Sequence, residues 1–268
     1  MFVALIVLSV WTLQYTTVLY LFTFGLCAVI GVWELNKVTR EGDVNAPLLE
    51  LIDVLGGLAV FLAFFMLYAG STSRSTWLLP ILIYGIARFI AQLYMPPIHA
   101  VHSLQRSMMN VAMVAVPLGL INTLISVTGN YMTLLAVFIF LWVNDSGAYL
   151  VGRWLGSHKF FERVSPHKTW EGFTGGVAAC LAAAVVIYCC FNDTFGGFTL
   201  PVWLGAAAVT SLFGTMGDLA ESLVKRTVGV KDISNLIPGH GGLLDRIDSF
   251  LMACPAVVVY FVLLKYYF

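Results

Sequence analysis

The sequence has very little charge. Its 268 residues include only 14 Lys and Arg and 14 Asp and Glu, which is 10% of the chain, and 60% of the residues are hydrophobic. Soluble domains carry about 25% charged residues, and a chain of this length has too little interior to bury so much apolar surface. The composition therefore excludes most soluble classes and predicts an all-α, polytopic membrane helix bundle. The formal net charge is zero, so no overall field favours nucleic acid, and we expect no such partner.

Cysteines in metal-binding spacing are also lacking. All five cysteines lie in apolar runs, and Cys189 and Cys190 are adjacent instead of forming C-x-x-C. We interpret them as small core residues of membrane helices rather than metal or redox sites. The N-terminus has no basic region and no small-residue cleavage pattern, so no removable signal peptide is expected.

Long apolar runs make up most of the sequence, and a membrane-spanning helix needs about 20 apolar residues. They predict eight or nine transmembrane helices: a short first segment at 2–13, then 15–33, 51–70, 77–95, 107–126, 131–151, 172–191, 199–224 and 248–267. We expect residues 1–130 to form N-terminal membrane helices and residues 131–268 to form C-terminal membrane helices with the longer loops and the functional site, within one continuous bundle.

The basic residues orient these helices. Eleven of the fourteen lie in four alternate loops, at 34–50, 96–106, 152–171 and 225–247, whereas the other loops carry only Arg74. Lys and Arg accumulate in cytoplasmic loops. These four loops are therefore predicted to face the cytoplasm.

Asp145 lies inside an otherwise apolar run, next to Asn144, Ser146 and Gly147. A carboxylate within a membrane helix is costly unless it faces a partner or a wet cavity. Two explanations remain at this point: an ion pair that only holds helices together, or a functional site, which we favour.

Two more pairs of carboxylates lie near the predicted cytoplasmic surface. Asp218 and Glu221 are three residues apart, as are Asp245 and Asp248, so each pair shares one helix face. One or two carboxylates together with substrate phosphates are a typical Mg²⁺ site. Ion pairing with the neighbouring Lys225, Arg226 and Arg246 is the alternative explanation, and the two are about equally supported by these residues alone.

Glycines and basic residues surround the second pair. The segment Pro238-Gly239-His240-Gly241-Gly242 can bring backbone N–H groups close to an anion, and Lys225, Arg226, Lys231 and Arg246 flank it. Arg and Lys both bind phosphate oxygens. A second polar cluster, S-P-H-K-T-W-E-G at 165–172, lies against the membrane in the loop 152–171.

The run S-L-V-K-R-T-V-G-V-K-D-I-S-N-L-I-P-G-H-G-G-L-L-D-R-I-D at 222–248 closely resembles the signature of phosphatidate cytidylyltransferases, also called CDP-diacylglycerol synthases. The stretches N-D-S-G-A-Y-L-V-G-R, S-P-H-K-T-W-E-G and G-D-L-A-E-S resemble other recurrent stretches of that family, in the same order. The similarity is dense from about residue 138 to 250 and faint before it.

This resemblance implies an integral membrane enzyme that joins CTP to phosphatidic acid, releasing pyrophosphate. It implies Mg²⁺, with a second, monovalent cation such as K⁺, and a bacterial inner (plasma) membrane location with the active site on the cytoplasmic face. A homodimer is a further expectation.

The resemblance also suggests roles for the site residues. We expect the metal site to consist of Asp218, Asp245 and Asp248. These three are also expected to be catalytic, together with Lys225 and Arg226. The substrate-binding residues are expected to be Asp145, Lys168, Glu171, Ser222, Lys231, His240, Gly241, Gly242 and Arg246.

Two other functions fit the composition. A CTP-dependent polyprenol or phytol kinase would use a lipid alcohol as acceptor. An ion-coupled transporter would use Asp145 and Asp218 along an ion path, but the charges gather at one membrane face, which disfavours it.

Overall fold

The computed structural model describes residues 2–13, 17–40, 47–69, 76–94, 100–230, 232–234, 236 and 241–267. The described part of the chain contains nine α-helices and one short 3-10 helix. The α-helices are α1 (Phe2–Thr12), α2 (Val18–Thr39), α3 (Pro47–Ala69), α4 (Leu79–Leu93), α5 (Ala100–Thr128), α6 (Met132–Leu155), α7 (Trp170–Phe195), α8 (Leu200–Thr227) and α9 (Leu244–Tyr267). The 3-10 helix, Thr76–Leu78, leads into α4.

Eight helical segments in the described residues are long and apolar enough to cross a membrane. The prediction of a polytopic helical membrane protein is confirmed. The helix α1 has 11 residues, or about 16 Å, which is well short of the roughly 30 Å hydrocarbon layer. It is thus the short first segment that the sequence predicts.

Several helices extend past the apolar runs that predict them. For example, α2 continues to Thr39 through Glu34 and Lys37, although we predicted a loop from residue 34. The physical reason is that a polar side chain can remain in a helix when it finds a partner inside the protein. Glu34, which is fully buried, has such partners, as described below.

The loop predicted at 152–171 contains an element that the sequence analysis missed. Strands β1 (Lys159–Phe161) and β2 (Ser165–Thr169) pair antiparallel as a small hairpin between α6 and α7. The hairpin is short and mostly exposed. Its length explains why the sequence pattern does not reveal it.

The chain forms two compact units, which are described separately. The first unit comprises Met1–Gln14, Leu124–Lys231 and Ile247–Phe268, and the second comprises Tyr15–Thr123 and Asp232–Arg246. The expected arrangement of residues 1–130 and 131–268 in one continuous bundle stays a prediction.

In the first unit, α6 and α7 pack at very short range because glycines lie between them. A Cβ atom at Gly175 would stand 2.5 Å from Val151 Cβ, and one at Gly147 would stand 2.7 Å from Ala179 Cβ. Small residues allow membrane helices to approach this closely. The core is completed by aromatic contacts, including Phe138 stacked on Phe250 with ring centroids 4.7 Å apart.

In the second unit, a buried polar network joins α3, α4 and α5. The guanidinium of Arg88 lies 3.1 Å from Asp53 Oδ1 and also donates to Ser107 Oγ at 2.9 Å. Tyr84 donates to the same carboxylate at 3.1 Å. Because removing one partner would leave a buried charge unpaired, this network holds the three helices in one arrangement.

Candidate active site

A cavity of about 520 Å³ lies in the first unit. Its walls come from α6, from the hairpin, from the first turn of α7 and from α8. Its lining includes Asp145, Lys168 and Asp218 among apolar and aromatic side chains. Three residues that the sequence analysis assigned to substrate or metal therefore share one cavity.

The wall formed by α6 is one continuous stripe. Asp145, Ala148, Tyr149, Gly152 and Arg153 all line the cavity, and their spacing of three or four residues places them along one helix face. The stripe brings an acidic residue to one end of this wall and a basic residue to the other, about 12 Å apart along the helix axis.

Asn144, which also lines the cavity, connects this stripe to α8. Its side chain is buried, it accepts a hydrogen bond from Ser211 Oγ, and its amide group lies 3.4 Å from Asp145 Oδ1. The helices α6 and α8 are thereby held in register beside Asp145.

The hairpin delivers Lys168 to the cavity. Lys168 Nζ lies 2.7 Å from Asp218 Oδ2 and 3.5 Å from the carbonyl oxygen of Thr215. The next residue, Thr169, is the N-cap of α7 and accepts the Gly172 N–H at 3.1 Å. This cap fixes the junction between β2 and α7. Because Lys168 directly precedes the junction, the hairpin and the cap together hold it at the cavity.

A glycine on α8 brings the carboxylates of α8 and α9 together. A Cβ atom at Gly217 would stand 2.7 Å from the carbonyl oxygen of Asp248, so the two backbones nearly touch there. Asp248 consequently lies within electrostatic range of Asp218 and Lys225 and close to Glu221. Asp145 also lies within electrostatic range of Asp248 and Asp218.

Lys225 and Arg226 have protein partners. Lys225 Nζ lies 3.3 Å from Glu221 Oε2, and both side chains are largely buried. Arg226 donates from Nε to the Val164 carbonyl at 3.4 Å. For Lys225 the geometry therefore matches the ion-pair alternative, while its expected catalytic role stays a prediction.

Ser222 and Glu171 are also hydrogen-bonded within the first unit. Ser222 donates to Asp218 Oδ1 at 3.3 Å. Glu171 accepts from Ser157 Oγ at 2.9 Å and from the backbone N–H groups of Ser157 and His158. Glu171 thus closes the turn between α6 and β1 and does not line the cavity. The expected substrate contacts of both residues stay predictions.

In the second unit, the carboxylate of Asp245 binds the described part of the glycine segment. Gly242 N–H donates to Asp245 Oδ2 at 2.8 Å, and Ile233 N–H donates to the same oxygen at 3.2 Å. The N–H of Gly242 is therefore directed at Asp245 in this arrangement. Gly241 has a positive φ of 80°, which a glycine adopts without strain.

Glu34, on α2, is an unexpected partner of the residues that follow the glycine segment. It accepts the N–H groups of Leu243 and Leu244 at 3.0 and 2.9 Å, and Ser234 Oγ also donates to it. An acidic side chain at a helix N-terminus is favourable, and here it caps α9 from α2. Sequence analysis placed Glu34 in a loop and missed this role, which only the fold reveals.

The remaining predicted residues of the loop 225–247 are Lys231, His240 and Arg246. Lys231 and His240 lie outside the described residues. Arg246 is exposed at the start of α9 in the second unit. Their expected substrate contacts stay predictions.

No three His, Cys, Asp or Glu side chains in the described residues are placed to hold a metal ion by themselves. The clustered carboxylates nevertheless suit Mg²⁺, because this ion usually keeps waters and takes only one or two carboxylates together with substrate phosphates. The assignment of Asp218, Asp245 and Asp248 to a metal stays a prediction.

Several cavity residues were missed by the sequence analysis as site residues. Arg153, His167, Tyr149, Thr215 and Phe160 all line the cavity. The i, i+4, i+8 spacing from Asp145 could have identified Tyr149 and Arg153. Nothing local in the sequence could have identified Thr215 or Phe160, since their positions depend on how α8 and the hairpin pack.

Residues 1–264 match the model of the cytidylyltransferase family. The chain belongs to this family. Among curated proteins it is similar to phosphatidate cytidylyltransferases of Staphylococcus aureus (strain COL) and Staphylococcus haemolyticus, both 44% identical over 124 residues, and to that of Staphylococcus saprophyticus, 43% identical over 124 residues. Each alignment covers 46% of this chain and 46% of the relative, so the match spans about half the length of these relatives.

Proposed function

We propose that this chain is a phosphatidate cytidylyltransferase, which converts CTP and phosphatidic acid to CDP-diacylglycerol and pyrophosphate. The observation that carries the proposal is the cavity in which Asp145, Lys168 and Asp218 meet, in a chain of the cytidylyltransferase family. The similar staphylococcal proteins bear that name.

In the proposed reaction, a phosphate oxygen of phosphatidic acid attacks the α-phosphorus of CTP. A new P–O–P linkage forms between the lipid phosphate and the α-phosphate. The bond between the α-phosphorus and the oxygen that bridges to the β-phosphate breaks, and pyrophosphate leaves with that electron pair. The attacking oxygen is already anionic, so little general-base assistance is required. The difficulty is to bring two polyanions together, which calls for positioning and charge neutralisation.

The residues of the cavity suit this task. Asp218 and Asp248, with Asp145 nearby, would hold Mg²⁺, and Asp245 is proposed to take part as well. When bound, Mg²⁺ would neutralise charge on the phosphate oxygens. Lys168, paired with Asp218 at 2.7 Å, holds that carboxylate in place and adds a positive charge beside it.

The eight long apolar helices of the described residues identify the protein as an integral membrane protein. We further propose that it resides in a bacterial plasma membrane, with the cavity open to the cytoplasmic face, where CTP is available. The basic residues of the loop 152–171, including Lys159 and Arg163, support this orientation. A homodimer remains a proposal.

Radiolabelled CTP tests the reaction. Purified protein is incubated with Mg²⁺, phosphatidic acid and CTP labelled at the α-phosphate, and label is expected in the lipid fraction. Label that enters a lipid alcohol only from the γ-phosphate would instead indicate a kinase, and no nucleotide consumption would contradict both.

Asp218→Asn should abolish the transfer, because it removes one carboxylate charge without changing size. Asp193→Asn, at an exposed position near the end of α7, serves as the matched control and should retain activity. Near-normal transfer by folded Asp218→Asn protein would overturn the role given to Asp218.

A further inference from the structure

We propose that Arg153 is a substrate-binding residue that holds a phosphate group in the cavity of the first unit. The inference rests on the proposed function, which supplies two phosphate-bearing substrates. It names a contact that the sequence analysis did not assign.

Arg153 lines the cavity at the C-terminal end of α6, on the same stripe as Asp145. Its Nη1 donates to Tyr149 Oη, 3.2 Å away and one turn earlier on the helix. Tyr149 also lines the cavity, so the contact joins the guanidinium to a second cavity-lining side chain.

Among the described residues that line the cavity, two are Lys or Arg: Lys168 and Arg153. The charge of Lys168 is offset by Asp218 at 2.7 Å. No carboxylate in the described part of the chain forms an ion pair with Arg153. The positive charge of Arg153 is therefore available to an anion.

Asp145 and Asp218 make one region acidic, which suits a cation, whereas Arg153 lies about 12 Å from Asp145 along α6. His167, on β2, also lines the cavity and carries ring nitrogens suited to phosphate oxygens. A polyanion can thus meet a metal at one end of the cavity and a guanidinium fork at the other.

The phosphate can come from either substrate: the leaving pyrophosphate portion of CTP, or the headgroup of phosphatidic acid. Steady-state kinetics of Arg153→Ala separate them. We expect a rise of roughly tenfold or more in the KM of one substrate, with kcat and the other KM within about threefold of wild type, because charge-assisted hydrogen bonds to phosphate are strong. A higher KM for CTP assigns Arg153 to the nucleotide, and a higher KM for the lipid assigns it to the headgroup.

Two further variants exclude a purely structural effect. Arg153→Lys keeps the charge but loses the fork, so its KM should lie between those of wild type and Arg153→Ala. Arg163 lies in the exposed turn between β1 and β2 and does not line the cavity, so Arg163→Ala removes a cation outside the site and should match wild type. Unchanged KM values in Arg153→Ala, or a loss confined to kcat, would overturn the proposal.

A binding measurement keeps this test separate from the proposed reaction. Inorganic pyrophosphate and dioctanoyl phosphatidate are titrated calorimetrically into wild type and Arg153→Ala. If wild type produces no CDP-lipid yet binds one probe roughly tenfold more tightly than the variant, the proposed reaction fails and the anion site stands. Equal affinities of the two proteins for both probes would contradict the anion site itself.

Discussion

At the residue scale, the pair Lys168 and Asp218 shows how the site is assembled. Both residues were expected from the sequence to serve the site, but 50 positions separate them and nothing local predicts a contact. The hairpin and the Thr169 cap place Lys168 Nζ 2.7 Å from Asp218 Oδ2. The pair positions a carboxylate beside the cavity and limits its negative charge.

Replacing Lys168 by Met should therefore impair turnover while leaving the protein folded. Without the ammonium group, Asp218 loses its orientation, and misplacement of a reacting group by about 1 Å can cost roughly a hundredfold in rate. We expect a loss of roughly tenfold to a hundredfold in kcat, measured by transfer of α-labelled CTP into lipid.

Lys159→Met is the matched control, because Lys159 is an exposed hairpin residue outside the cavity lining. It should retain the wild-type rate. Equal rates for the Lys168 and Lys159 variants would show that the ion pair with Asp218 does not matter for turnover.

At the scale of elements, close helix packing decides where the site residues lie. The α6 stripe is held in the cavity wall by α7, which packs closely against α6 at Gly147 and Val151. A Cβ atom at Gly175 would stand 2.5 Å from Val151 Cβ, a distance at which one backbone must move.

Gly175→Ala should thus push α6 and α7 apart. Overpacking of this kind costs about 1–3 kcal/mol, and each kcal/mol lowers the melting temperature by roughly 2–4 °C for a chain of this size class. Thermal unfolding in detergent measures the loss, and activity should fall with it because the α6 stripe moves.

Gly85→Ala provides the comparison. Gly85 lies in α4, and a Cβ atom there would meet nothing within 4 Å. This variant should unfold at or slightly above the wild-type temperature, since alanine favours a helix. If both variants behaved alike, steric contact between α6 and α7 would not be the cause.

At the scale of the whole molecule, the distribution of basic residues predicts the orientation in the membrane. The helix α7 has 26 residues, about 39 Å, which is long enough to place its two ends on opposite sides of a bilayer. Arg163, on the hairpin before α7, should face the cytoplasm, and Thr199, after α7, should face the outside.

Single cysteines at these positions test the orientation. The exposed Cys189 and Cys190 are first replaced by Ala, while Cys27, Cys180 and Cys254 are buried and should not react. A membrane-impermeant maleimide added to intact cells should label Thr199→Cys, and should label Arg163→Cys only after permeabilisation. The reverse pattern would invert the proposed orientation.

The sequence by itself determined the fold class, the number of long apolar helices and most of the charged residues in the cavity. These features follow from the composition of short stretches of sequence. A spanning helix must be apolar along its length, and a carboxylate such as Asp145 within it costs free energy unless it has a partner or a function. The family resemblance from residue 138 onward rests on contiguous motifs and is equally local.

Only the tertiary structure decided which residues meet. The pairing of Lys168 with Asp218, the cap that Glu34 provides for α9 and the cavity position of Thr215 each join residues distant in sequence. Such contacts depend on how closely the backbones of two helices approach each other. Gly175 and Gly217 permit a close approach because glycine has no side chain. No helical period or composition encodes that approach, because it is a property of two elements packed together.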